Sequence, residues 1–291
     1  MISNVRVILK QVKQDLMQSI SMEYIRYILA FIIILLLISE FCFKVHMYSL
    51  VGKLSSYSFS VGDIFLNMFK GIKEFNPRDG NTFEMPTNYI FINMFLAFIV
   101  GNYPVKDLHG FGKNVLVRSK SRSLWWLSKC AWNVMIVFLF YAFMYGFSLA
   151  IGIVSDNVNI NPTIDISKAM AYMNIEQTPL HMQISACIIG LIILPICTSM
   201  ALSMMQMTLT FITTPIISYL IIVTILVASA FYKSQFLIGN YFMMIRNGSY
   251  ITNGINSVQG LIIDGIIFFT SLTIGYLYFN RYDVMNGNEG W

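Results

Sequence analysis

Residues 101–133, GNYPVKDLHGFGKNVLVRSKSRSLWWLSKCAWN, form a short polar stretch between two long apolar segments. The stretch contains one acid, Asp107, against a larger set of basic residues: Lys106, Lys113, Arg118, Lys120, Arg122 and Lys129. A basic loop beside a membrane span stays on the cytoplasmic side, and Trp favours the membrane–water interface, where we expect Trp125 and Trp126. We call residues 101–133 the basic loop. It predicts the orientation of the whole chain, and a topology signal is the simplest role it could have.

The composition on either side of this loop is that of a membrane protein. Of the 291 residues, 56% are hydrophobic and only 11% are charged, and the mean hydropathy is +0.66. A soluble domain carries about 25% charged residues. Several apolar runs approach the roughly 20 residues that span a bilayer. We therefore interpret the net charge of +5 loop by loop, and we expect no nucleic-acid partner.

Six apolar runs predict six transmembrane helices in a single transmembrane domain, residues 1–291. Pro104 is expected to end the second run, and Pro195 to kink the fourth. The uncharged linker 204–208 is expected to join the fourth and fifth as antiparallel neighbours. The predicted spans cover about residues 24–43, 88–103, 127–154, 182–204, 209–232 and 261–279.

The first 22 residues predict an amphipathic helix. Apolar residues recur at steps of three and four, while basic residues occupy the other faces. The segment is too polar to span, and a span follows at once, so we expect it to lie on the inner membrane surface. Segments 44–87 and 155–180 carry a near balance or an excess of acids, which is typical of outer loops. Both termini are then cytoplasmic, in a multi-pass protein of the cell membrane.

No pattern for catalysis or metal binding stands out. There is no phosphate-binding loop GxxxxGK[ST], no HExxH and no GxSxG. The cysteines form no CxxC and are best interpreted as small buried hydrophobes. Glu40 and Asp264 lie near the outer ends of their spans, so no chain of charges crosses the bilayer. We expect no cofactor in this chain, and any energy-driven transport must use a separate partner.

An interfacial amphipathic helix, six spans and a basic loop between the second and third resemble the permease subunit of a type 2 ATP-binding cassette exporter. The basic loop is similar to that region of Gram-positive permeases for bacteriocins and other peptides. The resemblance implies a cytoplasmic coupling helix and separate ATPase subunits that bind ATP and Mg²⁺. It also implies membrane lipid and a second permease, identical or homologous, as partners.

The resemblance places two sites on this sequence. The ATPase-docking helix is mapped to Val115, Leu116, Val117, Arg118, Ser119, Lys120, Ser121 and Arg122, with Trp125 and Trp126 as interface anchors. Residues 233–259 match a segment that re-enters the outer leaflet as two short helices. Its expected outer gate comprises Gly239, Asn240, Phe242, Met243 and Arg246.

Two other classes of function remain open from the residues themselves. The chain could be a non-transporting immunity or sensor protein that binds a toxic peptide. An intramembrane enzyme is disfavoured, because the spans lack a His, Ser–Lys or paired-Asp constellation. The exporter hypothesis predicts export of a peptide or other amphipathic molecule. Association of the chain with an ATPase would distinguish this hypothesis from the immunity or sensor hypothesis.

Overall fold

The computed structural model describes residues 2–50, 59–75, 83, 85–119, 121–154, 158–159, 188–251 and 253–281, which are almost entirely helical. Most of the predicted outer segment 155–180 and the C-terminal tail lie outside the described residues. The α-helices, numbered in chain order, are α1 (Ile2–Met22), α2 (Tyr24–Leu50), α3 (Val61–Phe69), α4 (Thr87–Val100), α5 (Tyr103–His109), α6 (Phe111–Ser119), α7 (Arg122–Val154), α8 (Leu194–Ile212), α9 (Pro215–Phe231) and α10 (Ser257–Arg281).

Long apolar helices dominate the described part of the chain. Five segments within it are long and apolar enough to cross a membrane: Tyr24–Met47, Thr87–His109, Arg122–Val154, Ile189–Ile212 and Ser257–Arg281. Helix α9 is also apolar but has only 17 residues. The predicted class, an α-helical multi-pass membrane protein, is confirmed at this level. The predicted N-terminal helix is present as α1.

The predicted linker at 204–208 is wrong, because α8 continues through it to Ile212. The chain turns instead at Thr213 and Thr214. The Thr214 hydroxyl accepts a hydrogen bond from the Ile217 backbone N–H at 3.2 Å, and Pro215 occupies the first turn of α9. A Thr cap followed by Pro is a strong signal for a helix start. Residues 204–208 are uncharged but include three Met, so they continue the helix, and the Thr–Pro signal gives the turn its true position.

Pro104 begins a helix rather than ending one, which corrects the predicted end of the second span. Helix α4 ends at Val100, and residues Gly101 and Asn102 form a turn before α5. Pro104 lies in the first turn of α5, where its missing N–H costs nothing.

The predicted irregularity at Pro195 is present as a π-helical turn, Ile189–Ile193, immediately before α8. Pro195 has no N–H to donate to the carbonyl of Leu191, four residues earlier. The Tyr145 hydroxyl donates to that carbonyl at 2.7 Å and so satisfies it from the neighbouring helix α7.

The end of the molecule remote from the basic loop is closed by short elements. Strands β1 (Phe59–Ser60) and β2 (Val158–Asn159) form a parallel pair, so the segments that follow α2 and α7 meet at this end. Helix α3 follows β1, and Ser60 and Asp63 cap it reciprocally. Most of α3 is buried, although it lies in segment 44–87, whose charge balance is typical of an outer loop.

Helix α8 lies at the centre of the bundle and packs most extensively against α10. Its interior face is polar at several positions. The Ser203 hydroxyl donates to Asn133 Oδ1 at 2.7 Å, and Gln206 Nε2 donates to the Ala97 carbonyl at 2.9 Å. The carboxyl group of Asp264 is also buried beside α8, where it accepts a hydrogen bond from the Thr198 hydroxyl at 2.7 Å.

Candidate functional site

The basic loop folds into a compact unit of two short helices. Helices α5 and α6, residues 103–119, are joined at Gly110, whose N–H donates to the Asp107 carbonyl at 2.9 Å. Gly112 packs against the same acid: a Cβ placed on it would lie 2.1 Å from Asp107 Oδ2. A glycine is therefore required at Gly112 for a steric reason. We call residues 103–119 the α5–α6 unit.

A buried group of charges lies beneath this unit. Lys129 Nζ is 2.6 Å from Asp15 Oδ1 and 2.6 Å from Asp107 Oδ2. Lys129 is 1% exposed, Asp107 2% and Asp15 6%. The ammonium also lies 4.9 Å from the ring centre of Tyr103 and 5.0 Å from that of Trp125. These three charged residues, which we call the Lys129 cluster, tie α1, α5 and α7 together.

Two kinds of effect shift the pKa of the Asp15 carboxyl in opposite directions. Removal from water raises the pKa of the Asp15 carboxyl, while attraction to Lys129 and hydrogen bonds from Lys129 and Tyr103 oppose the rise. The Tyr103 hydroxyl donates to Asp15 Oδ1 at 3.1 Å. Because a buried ion pair is costly to desolvate, its partners hold a fixed geometry more than they add net stability.

A second ion-pair group links α5 to the start of α2. Glu23 Oε1 accepts from Lys106 Nζ at 2.9 Å and from Asn102 Nδ2 at 3.3 Å. Glu23 Oε2 is 2.9 Å from Arg26 Nε, and Arg26 Nη1 donates to the Phe98 carbonyl at 3.0 Å. The α5–α6 unit is therefore held to α2 and α4 as well as to α1 and α7.

The predicted docking residues differ in their burial and contacts. Leu116 is buried and Val115 half-buried, so this apolar side of α6 packs on the protein itself rather than facing outward. Arg122 Nη1 donates to the Asn280 carbonyl at 2.9 Å, which joins the start of α7 to the end of α10. Ser121 is half-buried, and Asn114 is exposed on the outer side of α6. Val117, Arg118 and Ser119 lie in α6 with side chains outside the described set, and Lys120 is outside the described residues.

The prediction that Trp125 and Trp126 anchor the chain at the interface is wrong for their side chains. They are 1% and 0% exposed, so neither ring can reach lipid headgroups. Trp125 stacks on Phe279 with ring centres 4.6 Å apart, and Trp126 Nε1 donates to the Leu272 carbonyl at 3.2 Å. The reason is a partner that sequence spacing could not show: both rings fill the contact between α7 and α10.

The residues assigned to an outer gate are all packed in the interior. Two 3₁₀-helices, Ile238–Phe242 and Met244–Arg246, occupy this segment. The five assigned residues, Gly239, Asn240, Phe242, Met243 and Arg246, are buried. Arg246 donates to the carbonyls of Ser229, Ala230 and Tyr232 at the end of α9, and to those of Ile72 and Lys73.

Arg246 therefore holds this segment to the end of α9 and to residues 72–73 by hydrogen bonds. A guanidinium is the one side chain with enough fixed donors to satisfy several helix-end carbonyls together. Burial lowers the pKa of Arg246 to about 10, which leaves it charged at neutral pH. The assignment of Arg246 to an outer gate has no support from these contacts. The segment does contain two short helices, both of them 3₁₀, while their re-entry into the outer leaflet stays a prediction.

The Lys129 cluster is the feature that the sequence interpretation missed. The sequence analysis gave no role to Asp15 or to Asp107, the one acid in a basic stretch, and counted Lys129 only among the charges that set topology. The available signal was Lys129 itself, which lies after two tryptophans within an apolar run. A Lys there needs a buried acid, which had to come from elsewhere in the chain.

Comparison with known proteins gives one match. A family model described as "Protein of unknown function (DUF2705)" matches residues 59–285. No curated protein and no solved structure matches this chain. In the parts of the chain that the structure describes, no group of three or more His, Cys, Asp or Glu could hold a metal ion.

Proposed function

The chain belongs to the DUF2705 family, and we propose that it is the membrane-spanning permease subunit of an ATP-binding cassette transporter. Separate ATP-binding subunits would drive it, and would bind the ATP and Mg²⁺. Its cargo would be a peptide or another amphipathic molecule that is exported. A second permease, identical or homologous, would complete the pathway in the cell membrane.

The observation that carries this proposal is the attachment of the α5–α6 unit to the bundle. A soluble motor can move membrane helices only through a contact that does not yield. The unit presents exposed Asn114 outward, while Asp107 and Lys106 fix it inward through buried or half-buried ion pairs. A push on α6 would therefore reach α1, α2 and α7 together. A loop that only set topology would need its charges but not these connections.

The arrangement of α1 supports an interfacial position for it. One side of α1 packs on α7, and large apolar side chains remain exposed elsewhere on it. Exposed apolar residues beside exposed Lys10 and Lys13 are typical of a helix lying at a membrane surface. The exposed large apolar residues are Val5, Val7, Leu9, Met17, Ile20 and Met22.

Helix α9 supplies the sixth span of the proposal. Its 17 residues correspond to a length of about 26 Å at about 1.5 Å per residue, close to the roughly 30 Å of the hydrocarbon core. It begins near the basic loop, since Ser218 shares a 2.7 Å hydrogen bond with Thr210, whose hydroxyl also lies 3.4 Å from the Gly101 carbonyl. It ends at the opposite face of the bundle, where the Phe75 N–H donates to the Phe231 carbonyl. Six spans would put both termini on the same side of the membrane, and we propose that this side is cytoplasmic.

The polar face of α8 supports a pathway for a cargo that is partly polar. A recess between α4, α8 and α9, about 240 Å³ including its open mouth and with inner room for one water-sized group, is lined by polar and apolar side chains. Uncharged polar groups inside a bundle give a cargo hydrogen-bond partners without the cost of a buried charge. The polar members of the lining are Asn93, Ser199, Ser203 and Gln206.

A site-specific photo-crosslink tests the proposed docking surface. A photoreactive amino acid at Asn114, on the exposed side of α6, should yield an adduct in native membranes with a soluble protein containing a phosphate-binding loop. The same group at Thr270, exposed on the middle of α10, is the matched control and should give no such adduct. Adducts from both positions, or none with an ATPase from Asn114, would reject α6 as the docking surface and favour the immunity or sensor alternative.

A further inference from the structure

A small recess opens beside the Lys129 cluster, between α1 and the α5–α6 unit. Its volume is about 230 Å³ including its mouth, and its inner part has room for one water-sized group. Gln14, on the rim, is exposed, so the recess communicates with solvent along α1. The lining residues are Gln11, Gln14, Asp15, Asp107, Val115, Trp125 and Ser128.

Three buried oxygens of this lining have no hydrogen-bond donor among the described residues: Gln11 Oε1, Asp15 Oδ2 and Asp107 Oδ1. The other oxygens of the two carboxylates are those that bind Lys129. A buried acceptor without a partner destabilises the folded protein, and does so more when it carries charge. Three of them on one small recess indicate that something is normally bound there.

The charge of the cluster indicates what kind of group this is. Among the described residues, the carboxyl groups of Asp15 and Asp107 face one ammonium, that of Lys129, so with both carboxyl groups ionised the cluster has one more negative charge than positive charges. Buried charges are retained when they are paired. The neighbouring cations Lys106 and Arg26 are already paired with Glu23.

We propose that the recess between α1 and the α5–α6 unit binds one compact monovalent cation, such as Na⁺ or K⁺, through Gln11, Asp15 and Asp107. A cation satisfies all three oxygens and removes the excess charge. A water molecule has two hydrogens for three acceptors and no charge. A proton on Asp15 can serve only one acceptor.

The donor set excludes the more demanding metals. Ca²⁺ takes six to eight oxygens, and Zn²⁺ prefers nitrogen and sulfur. A divalent ion would also lie beside the Lys129 ammonium with only two carboxylates to balance both. The site therefore suits a weakly charged ion with carboxylate and amide oxygens, and it would fasten α1 to the α5–α6 unit.

The test is the thermal unfolding of the purified protein in detergent at neutral pH and constant ionic strength. Chloride salts of Na⁺, K⁺ and N-methylglucamine, a cation too large for the recess, are compared. Na⁺ or K⁺ should raise the unfolding midpoint by roughly 2–4 °C for each tenfold rise in concentration above the dissociation constant. N-methylglucamine should give no rise.

Two single substitutions on α1 test whether the cation-dependent rise of the unfolding midpoint arises at the recess. Gln11→Leu removes one of the three oxygens without changing charge, and should abolish most of the cation-dependent rise. Gln18→Leu makes the same change on α1 at a residue that does not line the recess, and should retain the rise. A midpoint that is the same in all three salts would mean that a proton, and not a metal ion, neutralises the cluster. That result, or an unchanged rise in Gln11→Leu, would overturn the proposal.

Discussion

At the scale of single residues, the account depends on Lys129 being a buried structural charge. Its two carboxylate partners come from α1 and α5, more than 110 and about 20 residues away in the sequence. Neither partner could be identified from spacing, because nothing local connects Asp15 to Lys129. The sequence did predict that a basic group belongs at this end of the bundle, and the structure adds the acids that hold it.

Lys129→Met should destabilise the folded protein severely. It keeps the length of the side chain but leaves two carboxylates buried together without their cation. Removal of one partner from a buried ion pair costs about 3–5 kcal/mol. Thermal unfolding in detergent measures the loss.

Lys106→Met is the matched control for this change. Lys106 is 48% exposed, and its partner Glu23 keeps Arg26, so the loss should stay within about 1 kcal/mol. Addition of Asp15→Asn and Asp107→Asn to Lys129→Met should recover part of the stability. Equal effects of the two single Lys substitutions would show that the Lys129 cluster is not buried as described.

At the scale of elements, the sequence predicted which segments form helices, but it did not predict where those helices begin and end. Apolar runs predicted the helices correctly because burial in lipid requires them. The α8–α9 turn at Thr213 and Thr214 was missed because an uncharged stretch was taken for a loop. Trp125 and Trp126 were misplaced because the packing of α7 on α10 depends on a residue remote in sequence, Gly275, whose added Cβ would lie 2.1 Å from the Trp126 ring.

Gly112→Ala should disrupt the α5–α6 unit. The new methyl group would collide with the Asp107 carboxylate and backbone, which cannot move without breaking the contact to Lys129. Overpacking of this kind costs about 1–3 kcal/mol. We expect a lower unfolding midpoint and weaker crosslinking from Asn114.

Gly146→Ala, in the second half of α7, is the control for this change. Apart from its chain neighbours and the backbone of its own helix, no atom lies within 4 Å of the Cβ it would add. Ala is favoured over Gly in a helix interior by about 0.5–1 kcal/mol, so stability should be unchanged or slightly higher. A Gly112→Ala protein as stable as Gly146→Ala would contradict the close contact between α6 and Asp107.

At the scale of the whole molecule, the two ends of the bundle have different characters. One end gathers α1, the α5–α6 unit and the buried charges, and would receive a motor. The other is closed by α3 and the 3₁₀-helices, which Arg246 fastens to α9. The sequence predicted this polarity from the distribution of charge, but the contacts that hold each end follow only from the fold.

The central claim is that this chain works with a separate ATP-binding subunit. The most direct test is to tag the chain, purify it in mild detergent from the membranes of its natural host, and measure both its partners and ATP hydrolysis. The account predicts a co-purifying protein with a phosphate-binding loop in stoichiometric amount, and ATP hydrolysis that vanadate inhibits. A well-folded chain that purifies without any such protein and without ATP hydrolysis would contradict it.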